Sequence, residues 1–139
     1  MTSAGVCPDQ PFTKREPESV KKCIEINVLG TYYAAQLFVE QIEIQDEGKR
    51  SPSGGSIVTI GSICAYMTSK GQFLSDYCAS KGAVVALTKA LGVELASKKI
   101  RANSISPGYF VKSIHSKQLL IAQQVYGNGY DTLDCRLKT

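Results

Sequence analysis

The chain has 139 residues, of which 43% are hydrophobic and 20% charged, and its formal net charge is +4. This length and composition are typical of one globular domain with a sizeable core, and they exclude disordered and fibrous proteins. The lysines and arginines occur in short clusters spread along the chain, away from aromatic residues, which indicates solvated helix ends and loops. We therefore expect no nucleic-acid partner. A basic nucleic-acid-binding module is kept only as a third alternative.

Cysteine usage and hydropathy indicate the compartment. The five cysteines, at positions 7, 23, 64, 78 and 135, have no CxxC spacing, which favours free thiols in a reducing environment. The opening residues MTSAGVCPDQ lack the apolar core of a signal peptide. The longest uncharged apolar stretch, 26–39, includes Asn27 and Gln36 and is shorter than the roughly 20 residues that a membrane span needs. We expect a cytoplasmic protein with no membrane partner.

The first predicted element is a long helix over residues 13–46. Thr13 and Glu16 have the spacing of a capping box, and Pro17 is tolerated in a first helical turn. Apolar residues then recur at three-to-four spacing, which indicates one buried face. Asn27 is a polar residue within that face. It either satisfies backbone groups at a helix kink or has a functional role.

The remaining elements alternate strand and helix. The β-branched run SIVTI, 56–60, lacks polar alternation, which predicts a parallel strand covered on both faces. A helix over 72–97 follows, then a strand over 101–106 that stops at Pro107-Gly108, and a weaker helix over 113–126. This order predicts an α/β fold with parallel pairing. Two strands are fewer than a buried sheet usually has, so we expect the sheet to be completed by something outside this sequence.

The segment DYCASK, 76–81, carries the strongest chemical signal. Tyr77 and Lys81 lie one helical turn apart, so the ammonium group is predicted to lie beside the phenol and to lower its pKa from about 10. The small residues between them leave room for a flat ligand. Ser62 follows the strand SIVTI, at the carboxyl edge where parallel sheets bind ligands. Ser62, Tyr77 and Lys81 are therefore candidate catalytic residues, although each element alone is also typical of a turn or of an amphipathic helix edge.

Longer segments resemble a known family. GGSIVTIGSICAYM, DYCASKGAVVALTKALGVELASKKIRANSISPG and the earlier INVLGTYYAAQ together resemble the short-chain dehydrogenase/reductase family over residues 1–112. The resemblance implies a Rossmann-like, doubly wound parallel sheet. It also implies an oxidoreductase that transfers hydride between a nicotinamide cofactor and a secondary alcohol or ketone, such as a polyol, a sugar or a polyketide-like compound. The cofactor would be NADP or NAD, with NADP preferred.

The same resemblance implies a role for each site residue. Tyr77 would be the general acid/base, Ser62 would hydrogen-bond the reacting oxygen, and Lys81 would lower the pKa of the tyrosine and hold the nicotinamide ribose. Asn27 would position a proton-relay water, and it joins Tyr77 and Lys81 as a predicted cofactor-binding residue. Pro107 and Gly108 would lie against the nicotinamide. The sequence predicts no metal site.

Parts of the family pattern are missing from the sequence. It contains no glycine-rich T-G-x-x-x-G-x-G loop, and Lys112 occupies the place of the family's threonine after Pro-Gly. We therefore expect a partial Rossmann-like domain over 1–112, without the N-terminal βαβ cofactor half and the last strand, followed by an atypical tail over 113–139. The alternative to an active enzyme is a noncatalytic fragment that acts as an oligomer partner, associating with a second copy or a longer relative through helices 13–46 and 72–97.

Overall fold

A computed structural model describes residues 4–50, 52–68 and 70–109 of the chain. Contacts divide the chain into two compact units, Met1–Gly108 and Tyr109–Thr139. Of the second unit, the structure describes Tyr109 alone. The predicted helix over 113–126 and the predicted domain boundary after residue 112 lie outside the described residues, and the division into 1–112 and 113–139 stays a prediction.

The first long helix begins later than the sequence predicts. A short 3₁₀ turn, Phe12–Lys14, is followed by α1, Pro17–Ile24, and Glu16 at the helix N-cap is extended, with ψ of 138°. A residue before proline is pushed out of the helical region by the proline ring. The helix therefore starts at Pro17, and Glu16 makes no side-chain capping bond. The predicted capping box of Thr13 and Glu16 is wrong for this reason.

The helix then passes through a π-helical turn. Glu25–Leu29 has π geometry, and helix α2, Gly30–Asp46, follows it without a break in the sequence. Asn27 lies at the centre of the π-helical turn and is buried. The Thr31 hydroxyl donates to the Asn27 carbonyl oxygen at 2.9 Å. Single π-helical turns inside α-helices occur frequently at functional sites, so Asn27 lies at a distinctive place in the helix.

Both predicted strands are present and pair in parallel. Strand β1 is Gly55–Ile60 and β2 is Ile100–Ile105, with Ile57 opposite Ala102. The described residues form a two-stranded sheet. Helix α3, Ser75–Glu94, connects the strands, as parallel pairing requires a crossover. The α/β fold predicted from the sequence is confirmed.

The core lies where α2 and α3 pack on the sheet. It is formed by Ala35, Ile57, Leu95 and Ile100, with Phe38, Val39, Ile42, Leu91 and Ala102 packed around them. Gly55 allows the close approach of α2, because a Cβ atom there would lie 2.9 Å from the Phe38 ring. On the covered face of the sheet, the Thr59 and Thr88 hydroxyls are 2.7 Å apart. This packing places α3 against the strands from which the candidate site extends.

The prediction that β1 is covered on both faces is wrong for the described residues. Ile57 and Thr59 are buried, whereas Val58, between them, is 54% exposed. Side chains alternate between the two faces of a strand, so β1 is covered on one face only. A run of apolar residues without polar alternation therefore does not by itself establish that a strand is buried on both faces.

Candidate active site

The site is built where both strands end. Gly61 N donates to Ile105 O at 2.8 Å, and Ile63 N donates to Pro107 O at 2.9 Å. The two chain segments therefore remain joined beyond the regular strands. This pairing brings Ser62 and Pro107 to the same carboxyl edge of the sheet, as predicted from the sequence.

Ser62 is oriented by the short 3₁₀ turn that follows it. Its side-chain oxygen accepts a hydrogen bond from Cys64 N at 3.1 Å, and the residue is buried. A hydroxyl has one donor and two acceptor positions. The backbone contact uses an acceptor position, so the Ser62 proton remains for another partner. The Ser62 side chain also interacts with the Tyr77 phenol on α3 and acts to lower the pKa of that phenol.

Lys81 lies one turn beyond Tyr77 and is only 8% exposed. Its Nζ atom donates to Ile60 O at 2.9 Å and lies 5.8 Å from the centre of the Tyr77 ring. A lysine is seldom buried without a partner, and here the carbonyl at the end of β1 supplies one. Helix α3 and strand β1 thus place the amine beside the phenol.

The pKa of Tyr77 differs from the sequence prediction. Burial raises the pKa of the Tyr77 phenol above its ordinary value, and the hydrogen bond with Ser62, which acts in the opposite direction, does not outweigh burial. Burial also lowers the pKa of Lys81. Low-dielectric surroundings disfavour the charged form of each group. The direction of this shift is opposite to the lowering by Lys81 that the sequence predicted.

These groups surround a pocket of about 290 Å³. It is lined by Gly5, Val6, Cys7, Ile60, Gly61, Ser62, Tyr77, Lys81, Pro107 and Gly108. Five of the six predicted site residues therefore line one pocket. The segment Gly5–Cys7, which the sequence analysis did not assign to the site, forms one wall. The pKa of the Cys7 thiol is raised to about 11, mainly by desolvation, so this thiol is protonated at neutral pH and is a poor nucleophile.

Asn27, the sixth predicted residue, lies behind that wall. Its Oδ1 accepts from Val6 N and its Nδ2 donates to Val6 O, each at 2.9 Å, and Nδ2 also donates to Ser80 Oγ at 2.9 Å. Ser80 is fully buried on α3 between Tyr77 and Lys81. One interpretation from the sequence is that the Asn27 side chain satisfies backbone groups at a helix kink. It does satisfy backbone groups, but they belong to Val6 in the pocket wall and not to the helix. Asn27 ties this wall to α3.

A second polar cluster lies next to Tyr77 and was missed by the sequence analysis. The side chains of Arg15 and Asp76 form an ion pair and are 3% and 1% exposed. The only sequence signal is an acidic residue directly before Tyr77. Its partner is 61 residues away in the chain, so no local pattern connects the two.

Residues 4–50, 52–68 and 70–109 contain no group of three or more side chains able to hold a metal ion. Within the same residues, every helix is too short or too polar to cross a bilayer.

The parallel sheet with its connecting helix and carboxyl-edge pocket is the arrangement of Rossmann-like α/β proteins. The family model described as short chain dehydrogenase matches residues 1–121. The chain belongs to the short-chain dehydrogenase family.

Curated relatives include enzymes of sugar and polyol metabolism. The chain is 31% identical over 109 residues to galactitol 2-dehydrogenase (L-tagatose-forming) from Cereibacter sphaeroides, covering 78% of this chain and 40% of the relative. It is 32% identical over 109 residues to the NADH-dependent L-xylulose reductase of Ambrosiozyma monospora, covering 78% and 38%. The chain therefore spans about two-fifths of the length of these relatives.

Solved structures of dehydrogenases also match this chain. A short-chain type dehydrogenase/reductase from Mycobacterium marinum matches with a TM-score of 0.70 and 38% identity, over 76% of this chain and 40% of that chain. A gluconate 5-dehydrogenase from Burkholderia cenocepacia, in complex with NADP and tartrate, matches with a TM-score of 0.69 and 26% identity, over 84% and 42%. The Rossmann-like fold expected from the sequence is confirmed over the matched part.

Proposed function

We propose that this chain carries the catalytic residues of an NAD(P)-dependent oxidoreductase that interconverts a secondary alcohol and a ketone. The observation that supports the proposal best is the convergence of Ser62, Tyr77 and Lys81 on one pocket at the carboxyl edge of the sheet. Hydrogen bonds with Cys64 N and Ile60 O orient Ser62 and Lys81 respectively, and Ser62 interacts with the Tyr77 phenol.

Proton transfer is assigned to Tyr77. In ketone reduction the phenol gives its proton to the substrate oxygen, and in alcohol oxidation the phenolate takes it back. Ser62 donates a hydrogen bond to the same oxygen and stabilises the charge that develops there. Since burial raises the pKa of Tyr77, the phenol favours its protonated form, which ketone reduction needs.

The pocket has donors and space for the nicotinamide end of a cofactor, which would supply or accept the hydride. In the described part of the chain Lys81 Nζ donates one hydrogen bond, and an ammonium group has three donors. The others are assigned to the ribose hydroxyls, next to Tyr77. Gly5, Gly61 and Gly108 line the pocket, and Pro107 lines it beside them. The proposed cofactor is NADP or NAD, with NADP preferred on the sequence resemblance.

Polyols and sugars are the proposed substrate class. The support comes from relatives whose names specify galactitol, L-xylulose and gluconate. Polar groups at the pocket, including the Ser62 and Tyr77 hydroxyls, suit a substrate with several hydroxyl groups. A cytoplasmic location, inferred from cysteine usage, is part of the same proposal.

Turnover with matched tyrosine variants tests this function. The purified chain is incubated with NADPH or NADH and with L-xylulose, L-tagatose or a simple ketone, and loss of the reduced cofactor's absorbance is followed. Tyr77→Phe is expected to lower kcat by about 10²–10⁴-fold, because the phenol is the general acid. Tyr66→Phe is the control, since Tyr66 is exposed and does not line the pocket. Equal activity of both variants, or failure of both cofactors to bind, would contradict the proposal.

A second candidate function is association with another copy or with a longer relative. The observation that favours it is the apolar outer surface of the helices, on which Leu37 is 65% exposed, Ile44 66% and Val93 82%. Exposed apolar patches often mark protein interfaces. Sedimentation analysis of the chain and of Leu37→Lys/Val93→Lys would test it. We expect an oligomer that the double variant dissociates, and a monomeric parent chain would contradict self-association.

A further inference from the structure

The ion pair of Arg15 and Asp76 lies outside the groups assigned to proton transfer, and it is one of the most deeply buried charged contacts in the described residues. Asp76 is the second residue of α3 and directly precedes Tyr77. One of its carboxylate oxygens accepts from Tyr77 N at 2.7 Å, and the other faces Arg15. A buried pair of this kind is weak evidence for stability, because desolvation offsets the attraction. Another role needs to be considered.

The contacts of Arg15 indicate that role. Its guanidinium group donates to the carbonyl oxygens of Gln10, at 2.7 Å, and Phe73, and it approaches that of Pro8 at 3.5 Å. Residues 8–10 and the loop before α3 also bind each other directly. Phe73 N donates to Asp9 Oδ1 at 2.9 Å, and Gln10 N donates to Phe73 O at 3.2 Å. Arg15 therefore joins residues 8–10 to the loop that leads into α3.

Residues 8–10 continue directly from Gly5–Cys7, the wall of the pocket. This wall is fixed at Val6 by Asn27, and beyond Cys7 by the contacts of Arg15. Asp76 accepts from Tyr77 N and so fixes the first turn of α3, which carries Tyr77. The Arg15–Asp76 pair is thus a second link between the wall and α3, in addition to that of Asn27.

We propose that Arg15 and Asp76 are positioning residues that hold the pocket wall and Tyr77 at a fixed separation. The inference rests on the proposed function, since it assigns a purpose to the geometry around Tyr77. Arginine suits this role because its planar fork binds several acceptors at once, whereas a lysine offers a single point charge. A shift of the tyrosine relative to its substrate by about 1 Å lowers rates by up to about 10²-fold.

The test separates positioning from stability with two variants. Arg15→Met/Asp76→Leu removes both charges together, and replacing a buried pair by apolar residues is often neutral for folding. Arg15→Lys keeps the charge and removes the fork. Amide hydrogen exchange, read at Gln10 and Phe73, reports the link directly and does not require turnover, while Val84 and Val85 in the buried part of α3 are internal controls. The melting temperature reports folding.

We expect both variants to exchange at Gln10 and Phe73 at least roughly tenfold faster, with unchanged exchange at Val84 and Val85. We also expect kcat to fall by roughly tenfold or more, with less than about a twofold change in the cofactor Kd. Exchange at Gln10 and Phe73 that stays at the parent rate in Arg15→Lys would overturn the proposal, and this variant decides the matter if the double variant does not fold. A Tyr77→Phe variant with full turnover would instead count against the proposed function alone.

Discussion

The two ends of the strands are built from different interactions. Around the amino-terminal halves of β1 and β2 the contacts are apolar, with Ile57 and Ile100 packed on Ala35 and Leu95. At the carboxyl ends several of the buried side chains are polar or charged, namely Asn27, Ser62, Asp76, Ser80 and Lys81. The first region holds the elements together, and the second sets the orientation of individual groups.

This difference determines how each end should respond to substitution. Apolar burial is non-directional and roughly proportional to area, so neighbours can adjust when a methyl group is lost. A buried hydrogen bond is directional, and removing one partner leaves the other with its full desolvation cost. Changes in the apolar region should therefore lower stability and leave the pocket geometry intact, whereas changes in the polar region should alter the pocket itself.

The largest effect on folding is expected from Ile100→Ala. Ile100 is 2% exposed in the core, and Ile→Ala changes at such positions cost about 2–5 kcal/mol. Ile105→Ala on the same strand is the matched control, because Ile105 is 57% exposed, and it should change stability by only about 0.5 kcal/mol. Urea unfolding of both variants measures the difference. Equal losses would show that the core is not where the structure locates it.

A smaller loss is expected from Asn27→Ala in the polar region. The substitution removes the partner of Val6 N and one partner each of Val6 O and Ser80 Oγ, and an unsatisfied buried polar group costs about 1–3 kcal/mol. Asn103→Ala, at an exposed asparagine of β2, should cost about 0.5 kcal/mol or less. The distinguishing result is faster amide exchange at Val6 in the first variant only. Unchanged exchange at Val6 would contradict the role of Asn27 in holding the pocket wall.

The ionisation of Tyr77 makes the stability of the polar region depend on pH. Because burial raises the pKa of Tyr77, the folded chain keeps this proton at a pH where the unfolded chain has lost it. The contribution of this group to stability is therefore present below about pH 10, the ordinary value, and decreases as pH rises above it. Subtracting the phenolate absorbance titration of Tyr77→Phe from that of the parent chain isolates Tyr77. A midpoint below that of the denatured chain would reverse the assignment.

The smallest effect is expected at the surface. Lys98 and Glu43 form an ion pair with side chains 42% and 50% exposed, and exposed pairs contribute about 0.2–1 kcal/mol. Glu43→Gln should therefore lower stability by less than about 1 kcal/mol, and the difference should shrink at high salt. Glu40→Gln, one turn earlier on α2, is the control. A loss as large as that of Ile100→Ala would contradict the division into two regions.

Sequence patterns located most of the secondary structure and the pocket residues. The predicted strands over 56–60 and 101–106 agree with β1 and β2 to within one residue, and the predicted helix over 72–97 contains α3. Ser62, Tyr77, Lys81, Pro107 and Gly108 line one pocket as the motifs predicted. The placement of Ser62, Tyr77 and Lys81 follows from local rules, namely strand ends and helical spacing, whereas that of Pro107 and Gly108 was implied by the family resemblance. Their catalytic and cofactor-binding roles stay predictions.

The sequence by itself determined the α/β alternation and the spacing of Tyr77 and Lys81, because backbone preference and helical period act between near neighbours. Only the tertiary structure decided three further properties: the exposure of Val58, the raised pKa of Tyr77, and the pairing of Arg15 with Asp76. Each depends on which distant residues displace water from a group. Desolvation is a property of the packed chain, and short-range pattern does not encode it.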